Sequence, residues 1–138
     1  MIGEVRPLIK IGTDICSIGR VRAAYERFGR RFLERVLTAQ EIEYVLSQPP
    51  HTIARMAGRF AAKEAAAKAL GTGWNGIGFK DIEIVRLPSG APSLHLSGRA
   101  ARLAEDSGLE HFEVSVSHER EFAVAFVLAY STVEKSAC

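Results

Sequence analysis

The chain has 138 residues, 47% of them hydrophobic and 25% charged, a balance that suits one small globular domain, 1–138, with a single core. Its apolar stretches, such as Phe122 to Tyr130, are too short to span a bilayer, and Met1 to Lys10 lacks the apolar centre of a signal peptide. The net charge of +2 selects no partner by itself, and the two cysteines, Cys16 and Cys138, suit neither a disulfide framework nor a zinc site, which makes the cytoplasm the expected compartment.

Leu8 to Ile15 alternates, with Ile9, Ile11 and Ile15 on one side and Lys10, Gly12 and Asp14 on the other, and predicts a half-buried strand. A helix from about Ile18 to Arg30 follows, with Val21, Ala24, Tyr25 and Phe28 as its apolar stripe. Between Arg20 and Arg35 stand six arginines against two glutamates, which marks either an acidic partner or a solvated face. Thr38 with Glu41 three residues on forms a capping box, opening a short helix that Pro49 and Pro50 close. Thr52 to Leu70 holds eight alanines and no proline, so a long helix is expected there, stopped by Gly71. Gly71, Gly73, Gly76 and Gly78 make a turn region, and strands are expected at Phe79 to Leu87 and about Ser93 to Leu96. A short helix from Gly98 to Asp106 leads to strands at Phe112 to Ser117 and Glu121 to Tyr130, joined tightly around His118, Glu119 and Arg120. Helices early and strands late argue for an α+β fold, with a mainly antiparallel sheet packed against the long helix.

Three places along this chain bear chemistry. Asp14 ends the first strand beside Gly12, where no side chain blocks approach, and a carboxylate in that setting suits a magnesium ion or a plain turn. On the long helix, Ile53, Ala57, Phe60 and Ala61 form a stripe that Glu64 and Lys68 continue. Charged residues there are either an exposed i, i+4 pair or, in a cleft, a metal ligand or proton acceptor beside a phosphate-binding lysine. Lys63 lies about 100° around the helix from Glu64 and is expected in solvent. Finally, Ser117 ends a strand with its side chain away from Val114 and Val116, and His118 follows at the turn, where an imidazole can meet phosphate or move a proton. His51, His95 and His111 lack ligand spacing and read as surface or strand residues, and neither a nucleophile elbow nor a Walker A loop is present.

The order of these pieces is specific. Ile11-Gly12-Thr13-Asp14-Ile15, then Gly58-Arg59-Phe60-Ala61-Ala62-Lys63-Glu64-Ala65-Ala66-Ala67-Lys68-Ala69-Leu70-Gly71, then Val116-Ser117-His118, resembles the holo-acyl-carrier-protein synthases, the small bacterial branch of the 4′-phosphopantetheinyl transferases. The resemblance runs from about Leu8 to Ala129 and departs from the pattern only at the two ends and at Thr13, where the family often has an aliphatic residue. It implies a magnesium-dependent transfer of phosphopantetheine from coenzyme A to a serine of acyl carrier protein, releasing adenosine 3′,5′-bisphosphate and serving fatty acid biosynthesis. By the same resemblance, Asp14 and Glu64 are the magnesium ligands and Lys68 contacts a coenzyme A phosphate. Ser117 and His118 lie near the nucleotide, with His118 in catalysis or phosphate contact, and Gly71 and Gly73 line the nucleotide loop. It further implies a homotrimer with active sites between subunits, and a helix bearing Arg20 and Arg27 that meets the acidic carrier protein. The proton acceptor stays open among Glu64, a metal-bound water and His118. A pyrophosphate hydrolase and a non-catalytic module that binds acidic partners are the competing readings. The aromatic stripe Tyr25, Phe28 and Phe32 is expected in the core, not stacked on nucleic acid, and neither nucleic acid nor membrane is an expected partner.

Overall fold

The computed structural model describes residues 8–71 and 76–132. Strand β1 (Ile9–Ser17) leads into helix α1 (Ile18–Phe28), whose first turn is closed by the Ser17 hydroxyl accepting the Arg20 amide at 3.2 Å. Gly29 at φ 60° and ψ −138°, a conformation that only glycine enters freely, ends α1 and starts helix α2 (Arg30–Val36). The helix expected to run to about Arg30 therefore ends at Phe28, and α2 follows it as a further helix that was not expected. Helix α3 (Ala39–Leu46) carries the expected capping box: the Thr38 hydroxyl accepts the Glu41 amide and the Glu41 carboxylate accepts the Thr38 amide. A short 3-10 turn at Pro49–His51 leads into helix α4 (Thr52–Leu70), which ends at Gly71 in the left-handed conformation as expected. Strands β2 (Ile82–Arg86) and β3 (Pro92–Leu96) form a hairpin preceded by a second 3-10 turn at Phe79–Asp81. Helix α5 (Gly98–Asp106) and strands β4 (His111–His118) and β5 (Phe122–Tyr130) complete the α+β fold.

The main sheet has the order β1-β5-β4, antiparallel throughout, and β2 and β3 form a separate two-stranded sheet. Helix α4 lies against the main sheet, above all on β1 and β5, and touches α1, α3, α5 and β2 with its other sides. Burial runs nearly all the way round it, because alanine at most contact positions lets neighbours come close without a large side chain between them. One apolar stripe was visible in the sequence, whereas the structure makes α4 the central element.

Two expectations about faces are corrected here. Strand β1 is half buried, but by its Gly12 and Cys16 side; Ile9, Ile11 and Ile15 are 56%, 62% and 64% exposed. A Cβ at Gly12 would lie 1.9 Å from the Ala65 carbonyl oxygen, so the glycine side is where the helix backbone must pass. Lys63 is not in solvent. Its side chain is fully buried, and its Nζ donates to Glu41 Oε1 at 2.7 Å, the Phe79 carbonyl at 2.8 Å and the Ile82 carbonyl at 2.6 Å. Burial pulls the Lys63 pKa below its ordinary value, and the Glu41 carboxylate opposes that pull. Tyr25 and Phe32 pack on the core as expected, but Phe28, at the end of α1, is exposed under the Arg27 guanidinium, 5.1 Å from its ring centre.

Candidate active site

Asp14 sits three residues before the end of β1, one row across the sheet from Ala125 and two rows from Val116. Its side chain points to the α4 side and is one-fifth exposed. Helix α4 delivers Glu64 and Lys68 one turn apart to the same edge. The Lys68 ammonium donates to Asp14 Oδ1 at 3.0 Å and to the Thr13 carbonyl at 2.9 Å. Asp14 and Glu64 both act on the buried Cys16 thiol: burial raises its pKa most, the two carboxylates add to the rise, and Arg20 opposes it. The structure thus gathers Asp14, Glu64, Lys68 and Arg20 around one place, where β1 meets α4 and the start of α1.

The donor set fits a magnesium ion. Among the described residues no group of three or more His, Cys, Asp and Glu side chains could hold a metal alone. Magnesium is commonly held by one or two carboxylates, with substrate phosphates and water completing its shell. The Asp14 carboxylate is paired with the Lys68 ammonium through Oδ1, which is 3.0 Å away. Beside it opens a cavity of about 360 Å³ whose walls include Asp14, Arg20, Val21, Ala24, Phe32 and Phe60. Arg20 and Arg27 are both exposed on α1, one of them on that wall.

Ser117 and His118 are placed elsewhere. They end β4 at the opposite edge of the sheet, both exposed, with Ser117 facing away from the core as expected. The turn that carries His118 is held by Glu119, whose carboxylate accepts the Glu121 and Phe122 amides at 2.8 and 3.0 Å. His118 lines a second cavity, of about 280 Å³, with His51, Tyr44, Arg55, Arg59 and Arg86. Arg59 is 6% exposed and lies over the Tyr44 ring, 4.3 Å from its centre, and its Nε finds no hydrogen-bond partner among the described residues. Burial pulls the Arg59 pKa down, with Tyr44 and Glu41 working against it. A cavity with three guanidinium groups and a buried N–H left over is built for an anion such as phosphate. Arg55 and Arg86 were not singled out in the sequence, Arg59 stood only as a letter of the family motif, and His51 was read as a surface residue. The available signal was Arg55 and Arg59 four residues apart on an otherwise alanine-rich helix.

These two groups do not meet within one chain. Arg59 and Lys68 are nine residues apart on α4, so they leave it in opposite directions. Gly71 caps α4 and is exposed, and Gly73 lies outside the described residues.

Residues 10–127 match the family described as the 4′-phosphopantetheinyl transferase superfamily. A holo-[acyl-carrier-protein] synthase of Gloeobacter violaceus is 53% identical over 120 residues, which cover 87% of this chain and 91% of that protein. Among solved structures, the holo-[acyl-carrier-protein] synthase from Neisseria meningitidis is similar with a TM-score of 0.79 and 37% identity, over 87% of this chain and 96% of that one. The Helicobacter pylori enzyme of the same name, in complex with coenzyme A, gives a TM-score of 0.76 at 36% identity, over 86% and 98% of the two chains.

Proposed function

The chain belongs to the holo-[acyl-carrier-protein] synthases of the 4′-phosphopantetheinyl transferase superfamily, and from that premise we propose how its own residues move phosphopantetheine from coenzyme A to acyl carrier protein. The observation that carries the reading is the contact of Asp14 with Lys68 where β1 crosses α4, with Glu64 one turn before Lys68 and close enough to act with Asp14 on Cys16. Asp14 and Glu64 would hold a magnesium ion, which would supply positive charge to offset the phosphates and the charge that develops on transfer. Lys68 leaves Asp14 for a phosphate oxygen on the same side. The carrier serine oxygen bonds to the β-phosphorus, the bond to the bridging oxygen breaks, and adenosine 3′,5′-bisphosphate departs. Glu64, the carboxylate nearest that lysine along α4, takes the serine proton, with His118 the second choice. Apo acyl carrier protein incubated with the enzyme, coenzyme A and magnesium, then weighed intact, gains the mass of one phosphopantetheine. A chelated control gains none, and failure to modify any of several carrier proteins would sink the assignment.

The exposed apolar face of the main sheet supports the homotrimer. Ile9, Ile11 and Ile15 from β1 and Phe122, Val124 and Phe126 from β5 share one face and are 41–64% exposed. A patch of that kind on a small protein marks an interaction surface. A closed ring repeats one heterologous contact, so the β1 edge of one protomer can face the β4 edge of the next. That arrangement sets the carboxylates of one chain beside the arginines and His118 of its neighbour, and coenzyme A lies across both. Asp14→Asn and Arg59→Met are each expected to be nearly inactive alone. Co-expressed in equal amounts, they recover about one quarter of the wild-type rate, because that share of shared sites draws both intact halves. No recovery would show that each chain completes its own site.

Arg20 and Arg27 stand seven residues apart on one exposed face of α1 and form the carrier-protein contact, with Phe28 beside Arg27 as its apolar element. Reversing both to glutamate raises the KM for carrier protein by about tenfold or more and leaves the KM for coenzyme A unchanged. Steady-state kinetics with each substrate varied in turn makes the check, and equal KM values would return α1 to a solvated face.

A further inference from the structure

We propose that the buried Lys63–Glu41 pair is a positioning clamp that sets the rotation of α4, so that Glu64 and Lys68 face Asp14 on β1. This rests on the metal site proposed above and names residues that never touch substrate. Both side chains are fully buried, and all three Lys63 N–H groups are satisfied, by Glu41 and by the Phe79 and Ile82 carbonyls. Glu41 in turn accepts the Thr38 amide at 2.8 Å through Oε1 and the Ile84 amide at 2.9 Å through Oε2. One network therefore ties the start of α3, the 3-10 turn before β2 and β2 itself to a single residue of α4.

Stability alone does not account for such a pair. Burying two charges is costly, and apolar side chains of similar volume commonly serve as well or better. The best-attested return on a buried polar group is the specification of register. Helix α4 needs that. Its core contacts are largely alanine, at Ala57, Ala61, Ala62, Ala65, Ala66 and Ala69, and short side chains leave shallow ridges and grooves that interlock weakly. The rotation of α4 is therefore set less by interlocking side chains than by a few fixed points. Lys63 holds α4 from the α3 and β2 side. Two residues on, about 200° around the helix, the Ala65 carbonyl is pressed against Gly12 of β1. Glu64 lies between the two fixed points. A rotation of about 20° would carry its carboxylate by roughly 2 Å at the helix surface, enough to separate it from a cation shared with Asp14.

Lys63→Met strands the Glu41 carboxylate and is prone to unfold, so the test uses Glu41→Gln, which keeps one acceptor oxygen for Lys63 and the Thr38 amide but removes the charge and sets an NH2 group against the Ile84 amide. Mn2+ stands in for magnesium and is titrated by electron paramagnetic resonance in the presence of coenzyme A. Glu41→Gln is expected to bind Mn2+ about tenfold more weakly and to lose about tenfold in kcat, the usual effect of removing a group that orients a ligand, with the KM for carrier protein unchanged. Val45→Ala, a cavity variant at a fully buried α3 position outside the network, controls for lost stability and is expected to keep both values at a temperature where each protein is folded. If Glu41→Gln does not fold, Lys63→Arg, which keeps the charge but changes the reach, is read the same way. Wild-type Mn2+ affinity and kcat in the clamp variant, or equal losses in Val45→Ala, overturn the clamp alone. A wild-type protein that binds no Mn2+ overturns the metal reading and the clamp with it.

Discussion

Replacing Glu64 with glutamine is expected to lower kcat by about 100- to 1,000-fold, the scale of losing one proton-transferring or charge-stabilising group. The variant should fold normally, since Glu64 is only partly buried and glutamine has nearly its shape. Comparison with Asp14→Asn separates the two roles proposed for Glu64. Asp14 is proposed as a ligand only, so much of the rate lost in Asp14→Asn should return as magnesium is raised. Glu64 is proposed as ligand and proton acceptor, and an amide accepts no proton at neutral pH, so its loss should persist at saturating magnesium. Turnover measured against magnesium concentration for wild type and both variants decides it. Recovery of Glu64→Gln to the wild-type rate at high magnesium would remove the proton from its duties, and near-normal turnover at every concentration would remove Glu64 from both.

The second large effect is expected at Gly12, far from any reacting atom in role though close in space. Alanine there would set its Cβ 1.9 Å from the Ala65 oxygen, with the Ala65 carbonyl carbon and the Ala69 nitrogen each at 2.9 Å. All three are backbone atoms of α4, so no side chain can turn aside to make room. The helix must move off β1, opening the tightest layer of the core, and the cost should reach or exceed the upper end of the ordinary overpacking range, about 3 kcal/mol. For a chain of this size that is a drop of roughly 10–15 °C in Tm. Activity should fall as well, because the same movement separates Asp14 from Glu64 and Lys68. Ala65→Gly added to Gly12→Ala should restore neither, since the obstructing atom belongs to the backbone. Thermal melting of the two variants beside wild type is the measurement, and a Tm within about 3 °C of wild type for Gly12→Ala would mean that α4 and β1 have slack the structure does not show.

Much of this molecule was legible because the signals are local. The Thr38–Glu41 capping box, the alanine-rich span of α4 and its stop at Gly71, the helix at Gly98 to Asp106 and the hairpin at His118 each depend on a few neighbouring residues, and the structure has them where the pattern put them. The grouping of Asp14 with Glu64 and Lys68 was legible through family resemblance, and the structure brings their two segments together, with Lys68 of α4 in contact with Asp14 of β1. Helix α2 was missed because seven residues after a glycine carry too little periodicity to stand out from the arginine run around them.

Residue order alone was therefore enough for the kind and order of most elements, α2 apart, and for the residue types at the site. Which faces are covered was settled by packing between distant segments. Alternation in β1 announces two faces but not which one meets the helix, and here backbone contact through Gly12 outweighs the apolar side chains and turns three isoleucines outward. Likewise, a position on a helical wheel becomes inside or outside only when the neighbours are known, so Lys63, expected in water, lies in the core because α3 and β2 close over it with a carboxylate and two carbonyls. Both outcomes depend on contacts between residues distant along the chain, and such contacts leave no local trace in the order of residues.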